Sequence, residues 1–569
     1  MTARAARPGF GELFTPKLVT ILREHYALGD FKADALAGLT VAIVALPLSM
    51  AIAIASGVGP ERGLYAAIVG GFVVSLLGGS RFQIGGPAGA FIVLVAATVA
   101  QHGVDGLLLA TLLSGLILIA IGFLGLGTFI KYIPYPVTVG FTAGIAVIIL
   151  ASQLKDLLGL ALAGPEPGPI LPKLTALAGA LPSANGAAMA VAAGVIAMIL
   201  GLRRLRPGWP GMLIAVALAA AATAWLRLPV ETIGSRFGGI PGALPAPHLP
   251  AISIDRIGAI LPSALSFALL GGIESLLSAV VADSMTGRRH RSNCELVAQG
   301  AANIASALFG GICVTGTIAR TATNVRSGAR GPLAGMLHSL FLLGFMALAA
   351  PLARFIPLSA LAGVLAVVAW NMAEKHEFAM LLRASRGDAV VLLTTFLLVV
   401  FRDLTEGILI GFGIGALLFL HRMAQSVEVD GSGLLVGEDR SDRDEPRTPY
   451  DAALAADRGV IVYRISGAFF FGAAGAVGAA LDRIGAHPRA YVVDVSEVPL
   501  LDSSAAASLA GFARRAQRAG AAVFFAGARR PIRRLLLAHG VRPPLARFRS
   551  TVAAAVTEAG RSPPAGQDS

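Results

Sequence analysis

LVAQGAANIASALFGGICVTGTIAR, residues 296–320, runs without a charged side chain from Leu296 to Ala319 and then ends on Arg320. A helix needs about 20 apolar residues to cross the hydrocarbon core of a bilayer, so this stretch reads as membrane-embedded. It has company. Ala35 to Pro60, Leu64 to Ser80 and Gly106 to Ile130 are equally bare of charge. Over the whole 569-residue chain, hydrophobic residues make up 55% and charged residues only 14%, against about 25% charged in an ordinary globular protein. A soluble reading would need many helices that are apolar on every face.

Apolar stretches near span length number about fourteen between Asp34 and Arg422, several of them too short for a full crossing. An even number returns the C-terminus to the side of the N-terminus. Arg81, Lys131, Arg203, Arg204, Arg206, Arg288, Arg289, Arg291, Arg326 and Arg330 then fall in loops on that shared side. Basic loops stay in the cytoplasm, so both termini are expected there, in a multi-pass protein of the bacterial cytoplasmic membrane. The first 32 residues lack an apolar stretch followed by a small-residue cleavage site, so no cleaved signal is expected. The net charge of +13 is carried by these loops and by the final domain, which orients a membrane protein rather than binding nucleic acid. Cys294 and Cys313 have no partners at metal-ligand spacing, so no disulfide framework or metal site is expected.

Two interrupted segments stand out. Gly85-Gly86-Pro87-Ala88-Gly89-Ala90 introduces a short run in the first half, and Val314-Thr315-Gly316-Thr317-Ile318-Ala319-Arg320 does so in the second. Glycine- or proline-broken segments at matching places in two halves point to a transporter binding site. An α-helix N-terminus has unpaired N–H groups and about half a positive charge. Helices beginning at Ala88 and Ile318 would together form an anion site built mainly from backbone. Pro87 suits a first turn, and Ala88, Gly89 and Ala90 let an anion approach closely. The competing reading is a tight turn between packed helices. Arg320 favours the site, because an ionisable residue within a membrane is costly and usually functional. The alternative is an arginine snorkelling to the interface.

Glu274 is the other charge in an apolar run, following Ile257 to Ile273, with Ser278 on the same helical face at i, i+4. Three roles are open. It would carry a proton, coupling uptake to a proton gradient. It would bind sodium together with Ser278. Or it would pair with Arg320, neutralising both. Enzyme chemistry is not expected, because the histidines are scattered and no hydrolase or phosphate-loop pattern occurs.

After Arg422 the character changes. Glu438 to Arg447 is highly charged and reads as part of a solvated linker. Strands are expected at Val460–Ile465, Ala490–Val495 and Ala521–Ala526, with helices at Ala473–Ile484, Ser504–Gln517 and Pro531–His539. Strands alternating with helices imply a small α/β domain. The expected divisions are a cytoplasmic segment 1–32, a transport domain 33–424, a linker 425–457, an α/β domain 458–560 and a disordered tail 561–569.

At this point a family likeness enters. Asp34-Ala35-Leu36-Ala37-Gly38-Leu39-Thr40-Val41-Ala42, Leu46-Pro47-Leu48-Ser49-Met50-Ala51 and Gly63-Leu64-Tyr65 resemble the sulfate permease (SulP) signature. Asn293 to Gly300, Asn303-Ile304 and Ala319-Arg320-Thr321-Ala322 fit it as well. The likeness is nearest to proteobacterial members proposed to carry dicarboxylates. Ile273 to Leu277 and Met285-Thr286-Gly287 are also similar to members that carry bicarbonate. The resemblance implies an all-α membrane domain of two inverted repeats of seven spans, arranged as a core and a gate, in a homodimer with elevator-like movement. It implies a membrane domain surrounded by lipid, with a small inorganic or organic anion held between the segments starting at Ala88 and Ile318. Ala88, Gly89, Ala90, Thr317, Ile318, Ala319, Arg320 and Leu48 are the implied substrate contacts. Many members have glutamine where this chain has Leu48, which bears on sulfate preference. Glu274 and Ser278 match the family's coupling acid and hydroxyl. No cofactor is implied beyond a coupling proton or sodium ion.

The C-terminal stretch resembles the family's STAS domain, a relative of bacterial anti-sigma-factor antagonists and a platform for cytoplasmic protein partners. Leu501-Asp502-Ser503-Ser504-Ala505 fits their phosphorylation loop. Ser503 and Ser504 are the candidates, with helix capping as the alternative role. The resulting expectation is a secondary active transporter of dicarboxylate, bicarbonate or sulfate. A passive anion channel, and a membrane sensor with the STAS domain as output, are the rivals.

Overall fold

A computed structural model of the chain describes residues 10–24, 26–128, 134–164, 166–206, 209–402, 404–425, 428–431, 459–470 and 488–561. Lys131, the expected helix Ala473–Ile484, most of the expected linker and nearly all of the expected tail lie outside the described residues. The chain divides into two compact units, Met1–Gly413 and Ile414–Ser569.

Up to Gln425 the apolar runs are helices. In chain order they are α1 (Leu28–Ala55), α2 (Pro60–Leu77), α3 (Gly89–Phe123), α4 (Tyr135–Leu158), α5 (Gly186–Leu205), α6 (Gly211–Leu226), α7 (Ile254–Thr286), α8 (Ser292–Leu308), α9 (Ile318–Arg326), α10 (Leu333–Ala353), α11 (Leu358–Met372), α12 (Arg386–Phe401) and α13 (Leu404–Gln425). Non-helical Gly103, with φ of 68°, bends α3 into two arms. Counting both arms, these make fourteen segments between Leu28 and Gln425 among the described residues, and a further apolar helix of 11 residues, Ile170–Ala180, lies between α4 and α5. Among the described residues, α1, α2, α3, α4, α5, α7, α10 and α13 are long and apolar enough to cross a membrane, and so is α11 when joined to the helix after it as Leu358–Arg383. Amphipathic Lys375–Ala384, whose one buried side chain among the described residues is Leu381, is of a different kind.

Packing sorts the segments into two groups. α1, α2, α3, α7, α8, α9 and α10 pack mainly on one another, and α4, α5, α6, α11 and α12 do likewise. We refer to them as core and gate. Helices surrounded by lipid gain little from hydrophobic burial, so they associate through close backbone approach at small residues. α3 and α8 show it. A side chain at Gly115 would put Cβ 2.6 Å from the Gly300 carbonyl oxygen, and one at Gly300 would put it 2.4 Å from that of Gly115. α13 lies against the gate, where Gly407 and Gly411 face Val399 and Thr395 of α12.

The second unit holds a five-stranded sheet of β3 (Glu428–Gly431), β4 (Val460–Ser466), β5 (Ala490–Asp494), β6 (Ala522–Ala526) and β7 (Arg547–Arg549), hydrogen-bonded in that order. β3 is antiparallel to β4 and the other pairs are parallel. All five residues of β5 are buried, as expected of a parallel strand covered on both faces. One face carries α14 (Ser503–Arg518) and α15 (Arg530–Ala538), and the other carries α16 (Val552–Arg561). The expected strands and the two described helices are all present. β3, which falls in the stretch read as linker, together with β7 and α16, was not expected.

Candidate functional site: an anion cradle between two half-helices

The interrupted segments meet. Gly85–Gly86 (β1) and Thr315–Gly316 (β2) form a two-residue antiparallel ribbon, with Gly85 opposite Gly316 and Gly86 opposite Thr315. A helix follows each strand. After β1 the chain passes through Pro87 and extended Ala88 into a 3-10 turn at Gly89–Phe91, which leads into α3. After β2 comes Thr317 and then α9. Because the strands are antiparallel, the two helix starts are brought together with opposed chain directions. The first begins one residue later than expected, at Gly89, and Ala88 is its cap. Ile318 is the first residue of α9, as expected.

The backbone N–H groups of Gly89 and Ala90, and those of Ile318, Ala319 and Arg320, make no hydrogen bond among the described residues. They are the orphan donors of helix starts. Ile318 and Ala319 are exposed, whereas Ala88 and Ala90 are buried. Thr317 faces the framework instead. Its N–H and Oγ1 donate to the Ile84 carbonyl at 3.0 and 3.1 Å. On the gate side, a Cβ at Gly89 would come 3.2 Å from Ile149 Cδ1 of α4 and 3.6 Å from Met372 Sδ of α11. The cradle therefore opens toward the line along which core meets gate. Leu48 is buried in α1 directly after Pro47 and belongs to the same apolar cluster as Ala88.

Arg320 lies under the ribbon and is only 2% exposed. Its Nη2 donates to the Pro87 carbonyl at 3.1 Å, which ties α9 to the start of α3. Nε and Nη1 have no partner among the described residues. Among the described residues no acid pairs with it, and Glu274 makes no ion pair with it. Gly86 makes room for the guanidinium, since a Cβ there would lie 2.4 Å from Nη1. A buried cation with unpaired donors, beside two helix starts, is electrostatically suited to hold a negative charge.

Glu274 is half-buried on α7 and has neither a hydrogen bond nor a charged partner among the described residues. Ser278, one turn further on, is buried, and its hydroxyl donates to Thr321 Oγ1 of α9 at 3.1 Å. α7 also holds β2, through Thr315 Oγ1 donating to the Gly271 carbonyl at 3.0 Å. The acid and the cradle are thus on directly bonded elements. Gln83, Thr321 and Glu295 also support the cradle; Thr321 and Glu295 stand in the sequence motifs of the family likeness without a role of their own, and Gln83 was not picked out from the sequence. The available signal was polar residues flanking an apolar run. A cavity of about 640 Å³ lined by Leu94, Thr98, Gln101, Pro262, Ser266 and Leu409 lies apart from the cradle and includes none of its residues.

In the second unit the cap of α14 is Asp502, whose carboxylate accepts from the Ala505 N–H at 2.8 Å. Ser503 and Ser504 are exposed in the first turn, so neither serves as the cap.

Comparison with known proteins agrees with this architecture. The sulfate permease family profile matches residues 31–395 and the STAS domain profile matches residues 451–555. A putative sulfate transporter, YvdB of Bacillus subtilis, is 38% identical over 87% of this chain and 91% of its own length. The bicarbonate transporter BicA of Synechocystis is 32% identical over 88% of each chain. Among solved structures, the murine anion transporter Slc26a9 in an inward-facing state superposes with a TM-score of 0.84, at 18% identity, over 99% of this chain and 96% of its own. The transmembrane domain of a cyanobacterial BicA superposes with a TM-score of 0.61, at 32% identity, over 67% of this chain and 98% of its own. This multi-pass membrane protein, whose chain continues after its helices into an α/β domain, belongs to the sulfate permease family.

Proposed function

We propose that the chain is a secondary active transporter of a small anion (dicarboxylate, bicarbonate or sulfate) across the bacterial cytoplasmic membrane, with both termini cytoplasmic. The observation that carries this reading is Arg320, a buried cation with two unpartnered N–H groups beside two helix starts whose own donors are free. Ala88, Gly89, Ala90, Ile318 and Ala319 supply backbone and small surfaces around the anion. Leu48 adds an apolar wall. Thr317 serves the frame. The relatives named as sulfate and bicarbonate transporters support the class of cargo.

Coupling falls to Glu274. An acid without a partner, on the helix that bonds to α9, can take up a proton or hold a sodium ion as the anion binds. Ser278 donates its own hydrogen to Thr321, so its lone pairs remain available to a cation. The split into core and gate, with the cradle facing the seam, suits an elevator in which the core slides past the gate of a dimer. Phosphorylation at exposed Ser503 or Ser504 would add negative charge at a helix start and offers a regulatory site on the STAS domain.

The test is counterflow in proteoliposomes with an anion panel, run with and without proton and sodium gradients. A carrier shows exchange stimulated from the opposite side, and a gradient of the coupling ion drives accumulation. Flux without trans-stimulation would instead identify a channel.

A further inference from the structure

A second buried cluster stands behind the cradle. Gln83 Nε2 donates to Ser275 Oγ of α7 and to Glu295 Oε1 of α8, each at 2.8 Å. Glu295 also accepts from Gln299 Nε2 at 3.2 Å and, on Oε2, from the Ser80 N–H at 2.9 Å. Gln83 is 3% exposed, and Glu295, Gln299 and Ser275 are fully buried. The carboxylate is thus an acceptor for three donors, which fixes the amide of Gln83 in place.

The segment that Gln83 belongs to holds the anion-binding end of α9 on both sides. Phe82 accepts from Asn324 Nδ2 at 2.9 Å. The Ile84 carbonyl accepts from Thr317, and the Ile84 N–H donates to Thr321 Oγ1 at 3.1 Å. Gly316 rests so closely on the Gln83 amide that a Cβ there would come 2.0 Å from Nε2. α7 therefore reaches the cradle through two hydroxyls that follow Glu274 in sequence. Ser275 acts through Gln83, and Ser278 acts through Thr321.

We infer that Gln83, clamped by Glu295, is a positioning residue that links the coupling acid on α7 to the anion cradle. The inference rests on the proposed roles of Glu274 and Arg320. Coupling between two sites requires a physical connection whose arrangement both ligands bias, and it is reciprocal. A cation at Glu274 displaces α7, and the Ser275–Gln83–Gly316 contact carries that displacement to β2 and α9.

The experiment measures binding of sulfate, bicarbonate and succinate to the purified full chain, with and without sodium and at two pH values. In the wild type, the coupling ion should tighten anion binding by a factor of roughly 5 to 150. In Gln83→Met, which keeps the volume and removes both donors, the ratio of anion affinities with and without the coupling ion should fall by about threefold or more, although Ser278–Thr321 and Gly271–Thr315 still join α7 to the cradle. Glu295→Gln should keep most of the factor. With its carbonyl in the place of Oε1 it still accepts from Gln83 and Gln299, and only the bond from the Ser80 N–H at the Oε2 place is given up. Should Gln83→Met fail to fold, Ser275→Ala cuts the same link from α7 and is read in the same way. A full coupling factor in the folded Gln83 or Ser275 variant overturns the inference. Loss in Glu295→Gln as large as in Gln83→Met overturns the hydrogen-bonding role of Glu295. A wild-type factor of one removes the coupling role of Glu274 itself, and the link with it.

Discussion

Arg320 carries a full charge in a place where charge is expensive, and two of its N–H groups have no protein acceptor among the described residues. Each hydrogen bond to a charged group contributes ~1.5–3 kcal/mol, so Arg320→Ala should weaken anion binding by about 10- to 100-fold or more, at ~1.4 kcal/mol per factor of ten. The fold should survive, because the substitution also removes a buried cation that no acid neutralises. Equilibrium binding and thermal unfolding of the same preparation check both statements. Glu274→Gln should leave anion exchange intact but abolish accumulation driven by a proton or sodium gradient, and unchanged gradient-driven uptake would exclude Glu274 from coupling. Arg320 and Glu274 were legible in the sequence because each interrupts a long uncharged run. Glu295 was not, because it sits at the edge of the run 296–319 near Arg291 and reads as a residue at the membrane surface. Gln83 carries no charge, and its importance lies in contacts with residues about two hundred positions away.

The elements that matter are shorter than any periodicity can reveal. A two-residue strand has no hydrophobic pattern, and the pairing of Gly85 with Gly316 joins distant parts of the chain. What the sequence did show was where helices restart, since proline and glycine mark those points for local steric reasons. Gly86 carries a testable consequence. In Gly86→Ala the new methyl group would meet Nη1 of Arg320. Overpacking of this kind costs ~1–3 kcal/mol, and here the guanidinium has to move. The expected result is a folded protein with anion affinity lowered at least as much as its stability, read by binding and by the unfolding midpoint. In the α/β unit, Arg549 and then Arg547 hold the Glu558 carboxyl below its ordinary value by hydrogen bonding and charge. A depressed acid contributes stability above its unfolded-state value, near 4.3, and loses it as pH falls through the folded-state value. The wild type should thus unfold at a higher temperature than Glu558→Gln at pH 7, and the difference should vanish at strongly acidic pH. A difference that persists or grows in acid would contradict the pairing.

For the whole molecule, a membrane domain and an α/β domain could be read from the change in composition after Arg422, because bilayer and water select different residues. The division of the helices into core and gate was implied by the family likeness and could not be read from composition. It depends on which apolar surfaces pack together, and most of those surfaces look alike in sequence. The two compact units lead to a further expectation. Removing the residues after Arg422 should leave measurable anion uptake in proteoliposomes if the first unit is the carrier, whereas complete loss would favour a sensor acting through the STAS domain. The account as a whole depends on where the anion sits. Crystals grown with selenate, a heavy analogue of sulfate, would locate the ion by its anomalous scattering. The account predicts selenium beside Arg320 Nε and Nη1, within reach of the free N–H groups of Gly89, Ala90, Ile318 and Ala319. An ordered selenate bound elsewhere in the membrane domain, with the Arg320 donors still unpaired, would contradict it.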